Sequence, residues 1–252
     1  MATPPTRADA KPLPKRFYTT AACEIVTGAD GRAAFRILLD GRPLRTPAKA
    51  ELQLPAQALA DAVAAEWQSQ GAHIDPATMP LTRLANTTID GVALRRAEVE
   101  AEIARYAMND LVYYRADQPD ALVQLQARAW DPVLDWARRS FGVTLATGAG
   151  IGHIAQPKDL EKAVLAALAP RQAIELSALH VITTLTGSAL MALAHAHGAL
   201  SAADAWAAAH VDEDFQISQW GWDAEAEARR KAREADFAAS ARVLALANDA
   251  TP

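Results

Sequence analysis

The side chains best equipped for chemistry gather late in the chain, where His195, His197, His210, Asp212, Glu213 and Asp214 follow one another closely. These are zinc-ligand types, and a metal-dependent hydrolase or a small-molecule-binding helical protein built on the His210 and Glu213 region is one reading of them. Their spacing opposes it. His195 and His197 lie two apart and face different directions on a helix, and no His-Glu-x-x-His pair is present. Other catalytic signatures are missing. Gly148, Gly150 and Gly152 form a glycine run with no following Lys, and His153-Ile154-Ala155-Gln156-Pro157 does not open a helix where a phosphate would sit. No Gly-x-Ser-x-Gly elbow occurs, and Cys23 has no His near it in sequence. We expect no enzyme, no cofactor and no metal.

One pattern is harder to explain structurally. Trp206, His210, Glu213, Ile217 and Trp220 recur at spacings of four, three, four and three. On one continuous helix they share a stripe, which places Glu213 among two indoles and an aliphatic side chain. An unpaired carboxylate there is costly. It therefore has a partner such as an Arg from another helix, or it lines a surface that a second protein covers. Asp110 poses the same problem in the stripe Val99, Ile103, Tyr106, Asp110 and Tyr113. The basic run Arg229, Arg230, Lys231 and Arg233 alternates with Glu225, Glu227 and Glu234 and reads as a solvated face.

Two kinds of element must position these residues. Between residues 15 and 55, Glu24-Ile25-Val26 and Phe35-Arg36-Ile37-Leu38-Leu39 are strand-like, with Gly28-Ala29-Asp30-Gly31 as a hairpin turn and Asp40-Gly41 as a second turn. Leu52 and Leu54 alternate with polar neighbours, giving a small antiparallel sheet of three to five strands. From residue 56 to 252 the period becomes helical. Leu59, Val63 and Trp67 share a face, with Gly71 ending that helix, and a second helix surrounds residues 81–89. Asp131-Pro132 reads as an N-cap followed by proline at the first helical position, stopped by Gly142. Residues 143–155 read as strand or loop. Helices are predicted over 158–168, 174–197, 202–220 and 224–247, with Ser201 and Asp223 as N-caps. The fold class expected is α+β: a small N-terminal antiparallel β domain followed by a larger, mainly helical domain.

Composition bounds the rest. The chain has 252 residues, 51% of them hydrophobic, enough to close a full core. Alanine supplies roughly a quarter of it, which favours helix. A net charge of -5 opposes nucleic-acid binding. A single cysteine excludes an intrachain disulfide and fits a reducing compartment. Residues 1–14, with Pro4, Pro5, Pro12 and Pro14, read as a disordered lead without a signal sequence. No Asp, Glu, Lys or Arg occurs over residues 176–200, yet its His, Ser and Thr residues suit a buried bundle helix better than a membrane span. No heptad seam appears, so a monomer is expected.

Several blocks in order resemble a known family: Lys15-Arg16-Phe17-Tyr18; Leu39-Asp40-Gly41-Arg42-Pro43-Leu44-Arg45-Thr46-Pro47; Ala65-Glu66-Trp67-Gln68-Ser69-Gln70; Met79-Pro80-Leu81-Thr82-Arg83-Leu84-Ala85-Asn86-Thr87; Asp110-Leu111-Val112-Tyr113-Tyr114-Arg115; and Asp212-Glu213-Asp214-Phe215-Gln216-Ile217 before Trp220-Gly221. The family is the assembly chaperone that holds the unassembled alpha subunit of the ATP synthase catalytic head. The resemblance covers nearly the whole chain after residue 14. It implies a molecular chaperone without catalysis, binding the free alpha subunit and preventing its aggregation until a beta subunit replaces it. The short lead resembles a bacterial, cytoplasmic member. By position the family's functional acid falls on Glu213, with Asp214 the alternative one register along, and Trp206, Phe215 and Trp220 around it. Trp67, Asp110, Arg83 and Asn86 fall in motif blocks, with Trp67 structural first.

Overall fold

The computed structural model describes residues 12–28, 31–150 and 152–248. Strands β1 (Ala21–Thr27) and β2 (Ala33–Leu39) pair antiparallel with Cys23 opposite Ile37. Beyond β2 lie β3 (Arg42–Pro43) and β4 (Gln53–Leu54), completing a four-stranded sheet. Asp40 and Gly41 take φ of 46° and 76°, the left-handed pair that a tight two-residue hairpin requires. The first hairpin closes through Gly31 N–H to Gly28 O, at 3.0 Å. Its Ala29 and Asp30 lie outside the described residues, as does most of the expected lead, residues 1–11. Pro14 is held, its carbonyl accepting from Ile74 N–H at 2.8 Å.

Alternation turns Ile37, Leu39, Leu52 and Leu54 inward. Helix α1 (Gln57–Gln68) covers them with Leu59, Ala60 and Val63, its alanines letting the helix approach β1 and β2 closely. It ends at Gln68, ahead of the expected stop at Gly71. Glu66, near its end, accepts the Leu81 and Thr82 amides at 2.8 Å each and so caps α2 (Pro80–Asp90). After α3 (Arg96–Met108), short β5 (Tyr114–Arg115) pairs in parallel with β6 (Gly148–Ala149) inside the glycine-rich stretch.

Helix α4 (Asp120–Phe141) corrects the expected start at Asp131: Pro132 lies inside it. The helix opens at Asp120 because Val123, Trp130 and the hydrogen-bonded Gln126 continue the inward face of Val133, Leu134 and Ala137 upstream. That burial offsets the one backbone bond Pro132 cannot make. Asp131 instead accepts from Arg115, at 2.8 Å. Gly142 ends the helix in the left-handed region, as read from sequence.

Helix α5 (Lys158–Leu168) is as expected. The predicted 174–197 helix is two: α6 (Ala173–Thr186) and α7 (Ala189–Ala196). Gly187, at φ 70°, terminates the first, and the Ser188 hydroxyl caps the second by accepting from Met191 N–H at 3.0 Å. Leu176, Leu179, Ile182 and Leu190 are fully buried in this central pair. Each contributes about 1.5–3 kcal/mol of burial. Among the described residues no helix is long and apolar enough to cross a membrane. The predicted 202–220 helix is likewise two, α8 (Ala202–Ala209) and α9 (Val211–Trp220), and α10 (Ala224–Asn248) returns across α6 and α2. The architecture is α+β, as expected.

Candidate functional site

The break between α8 and α9 builds the candidate site. Trp130 donates its indole N–H to Ala208 O at 2.7 Å, and the His210 ring bonds Trp206 O through Nδ1 at 2.7 Å. Two carbonyls at the end of α8 are thereby satisfied by side chains, and the chain turns at His210 without leaving them bare. The Trp206 and His210 rings pack at a tilt of 40° with centroids 3.9 Å apart, and Phe237 of α10 closes on Trp206 at 5.2 Å. Burial, with Arg230 and Arg233 nearby, holds the His210 pKa below its ordinary value. A neutral ring that donates from Nδ1 presents a bare Nε2.

The turn changes the expected stripe. Trp206 is buried beneath the junction, whereas Trp220 at the far end of α9 is 88% exposed. Glu213 is therefore not enclosed between two indoles; its carboxylate is half-exposed, 3.8 Å from Arg230 and 3.9 Å from His210. Asp214 makes the closer ion pair with Arg230, and Asp212 at the start of α9 accepts from Gln126 at 2.7 Å. An Arg on another helix is thus the partner that Glu213 demanded.

The basic run of α10 is only partly a solvated face. Arg229 pairs with Glu225 along the surface, but Arg230 turns inward to Glu213 and Asp214, and Arg233 donates to Leu185 O at 2.8 Å. The overlooked signal was the spacing of Arg230, Arg233 and Phe237, which puts all three on one face. Trp222, 53% exposed beside the Arg230 guanidinium at 5.5 Å from its ring centroid, was also missed.

Among the described residues α9 contains no buried residue. Phe215 and Ile217 are half-buried, and Trp220 stands outside at the turn through Gly221. The result is an amphipathic ridge with the exposed Trp220 at its C-terminal end and an acid pair near its start, held by an arginine against which Trp222 also rests. Apolar anchors beside a few oriented polar groups are the composition of a protein–protein contact.

The remaining expected residues lie elsewhere. Asp110 is fully buried, but α3 stops at Met108, so it leaves the expected helical stripe and caps the short turn Leu111–Tyr113. Its carboxylate accepts from Val112 N–H at 3.3 Å and Leu190 N–H at 3.0 Å. Arg83 pairs with Asp236 at 2.7 Å, tying α2 to α10, and Asn86 is half-buried on α2. Trp67 is half-buried against Tyr18, whose hydroxyl donates to Trp67 O at 2.7 Å. The histidines do not converge. His180 contacts Glu102 at 3.0 Å, His195 bonds Leu200 O at 3.0 Å, and His197 lies beside Arg171. Among the described residues no three His, Cys, Asp or Glu side chains gather as a metal site would require.

Comparison with known proteins gives concordant matches. Residues 15–138 match the model of a family described as ATP12 chaperone protein. The crystal structure of Atp12 from Paracoccus denitrificans is similar with a TM-score of 0.86 and 40% identity, over 93% of this chain and 98% of that one. A variant of that protein with lysine in place of an aspartate matches at 39% identity and the same TM-score. A chaperone candidate from Agrobacterium tumefaciens is 45% identical with a TM-score of 0.87, over 94% of this chain and 87% of that one.

Proposed function

The chain belongs to the ATP12 chaperone family, and from that premise we propose that it holds the unassembled alpha subunit of ATP synthase and keeps it from aggregating during assembly of the catalytic head. The observation that carries the site is α9 itself. A helix with no fully buried residue, with Trp220 exposed and Glu213 and Asp214 steered by Arg230, offers a surface for another protein to cover. The protein acts in the bacterial cytoplasm as a monomer, and forms and breaks no covalent bond in doing so.

In this reading the indoles cover apolar surface of the client. Glu213 supplies a carboxylate to a basic side chain or backbone N–H on the client, with Asp214 and Arg230 holding it in place. Trp206 acts from beneath, fixing the angle between α8 and α9. The test is co-expression with the alpha subunit, scored as its soluble fraction. Glu213→Lys sets a second cation beside Arg230 and reverses the charge offered to the client. It should leave the circular dichroism spectrum unchanged and reduce capture at least tenfold, the scale of like-charge juxtaposition at an interface. Normal capture by the folded variant removes Glu213 from the site. An alpha subunit no more soluble with the wild-type protein than without it ends the proposal.

A further inference from the structure

We propose that the cleft between the strap of residues 16–18 and the turn at Asp40 and Gly41 is a second docking point for the client, taking a segment in which a carboxylate side chain neighbours an apolar one. This rests on the reading that the chain works by holding another polypeptide. The cleft encloses about 580 Å³ and lies on the sheet, lined by Phe17, Tyr18, Leu39, Arg42, Leu44 and Arg45 among others.

Phe17 carries the apolar half of the argument. It is 73% exposed, yet the backbone around it is pinned. Arg16 donates to Tyr18 O at 3.0 Å and Thr19 O at 2.8 Å on one side, and to Gln68 O at 3.2 Å and Gln70 O at the end of α1. Tyr18 is itself buried, with its ring edge-on to Phe17 at 5.4 Å. An aromatic ring carried into water on a fixed strap loses little further freedom when a partner covers it.

The charge around the cleft selects the partner. Arg42 is exposed, and its guanidinium makes no hydrogen bond or ion pair among the described residues. Arg45 donates to Lys49 O at 2.8 Å and stands 3.8 Å from Glu51, with its side chain 57% exposed. The cleft's own carboxylate is already used. Asp40 accepts from Thr19 N–H at 3.0 Å, from Thr20 N–H at 2.8 Å and from the Thr20 hydroxyl, and these bonds hold its pKa below the usual range. A chain with a net charge of -5 thus presents here two arginines beside an apolar floor. The complement is an acidic, apolar stretch of polypeptide.

The probe is a fluorescein-labelled peptide alternating glutamate with leucine and phenylalanine, titrated by anisotropy with the full-length protein. Phe17→Ser and Arg42→Glu should each weaken binding at least about fivefold, whereas Lys162→Glu, a charge reversal at an exposed position of α5, should not. Both cleft positions are exposed, so matching thermal melts will show the variants intact. Equal binding by the cleft variants overturns the proposal, as does equal binding of a peptide with lysine in place of glutamate, or of an oligothymidylate. Alpha-subunit capture is scored separately. If capture fails while the peptide discriminates, the subunit assignment falls and the docking point stands; if the peptide does not discriminate while capture holds, only the docking point falls.

Discussion

Replacing Asp110 tests the central joint of the fold. Its carboxylate accepts the Leu190 and Val112 amides, with the Ser188 hydroxyl and Ala189 N–H beside them, and so caps α7 from across the chain. Asp110→Ala leaves at least the Leu190 and Val112 amides buried without an acceptor. At about 1–3 kcal/mol for each orphaned donor, the loss should be roughly 3–5 kcal/mol. Asp110→Asn keeps one acceptor oxygen but turns an NH₂ toward the same donors, and should cost about 1–3 kcal/mol. The two differ further with pH. Burial pushes the Asp110 carboxyl up to about 7, against the pull of Ser188, Leu190, Val112 and Ala189. In the unfolded chain the same acid ionises near pH 4. Between these values the folded state keeps a proton that the unfolded state releases, so this group's contribution to stability falls as pH rises through the window and is flat above it. Urea unfolding at pH 5 and pH 7.5 should show a steeper decline for the wild type than for Asp110→Asn. Parallel declines would mean that the donors outweigh burial and keep the acid ionised. An Ala variant within about 1 kcal/mol of the wild type would refute the hydrogen-bond accounting itself.

Two tryptophans on what reads as one stripe should behave oppositely. Trp220→Ala, at an 88% exposed position, should change the urea midpoint little, within about 0.5 kcal/mol, and weaken alpha-subunit capture. Trp206→Ala, beneath the α8–α9 junction, should lose about 3–5 kcal/mol of stability; equal stability of the two variants would show that the junction does not depend on Trp206. Cys23 should be sluggish toward alkylation. Burial, with the Asp61 carboxylate 2.9 Å from Sγ, pushes the thiol up to about 11. Its thiolate fraction near pH 8 is then roughly a hundredfold below that of an ordinary cysteine, and iodoacetamide should react correspondingly slowly. Asp61→Asn should speed that reaction, and a wild-type rate equal to that of free cysteine would rule out the burial effect.

The sheet and the helical character of the larger part were legible because each rests on a local signal. Ile37 and Leu39 alternate with a period of two, Leu59 and Val63 recur at four, and Asp40-Gly41 is a turn that few other pairs make. Boundaries set by tertiary partners were not legible. Asp131-Pro132 carries a strong local start signal, yet the apolar face of α4 runs through it to Asp120. Conversely, Trp206 to Trp220 keeps an unbroken helical period while the chain turns at His210. The groups that stabilise that turn, Trp130 and the His210 ring, act through carbonyls that no local pattern reveals.

The same distinction separates what was readable in the site from what was not. Glu213 stood out because a carboxylate on an apolar stripe needs an explanation, and Arg230 supplies one from a helix that reads by itself as a solvated charge ladder. The break at His210 then settles which side chains remain outside. Had α8 and α9 been continuous, Trp206 and Trp220 would share one face. The turn sinks Trp206 against Phe237 and leaves the far end of α9 exposed, with Trp220 in water. A contact surface of the proposed kind needs a rigid support, since a ridge that collapsed onto its own protein would hide its indoles. That support is the arginine clamp across Glu213 and Asp214 together with the Gln126–Asp212 bond at the foot of α9. Steadying the ridge and holding the client are, on this reading, consequences of the same few side chains.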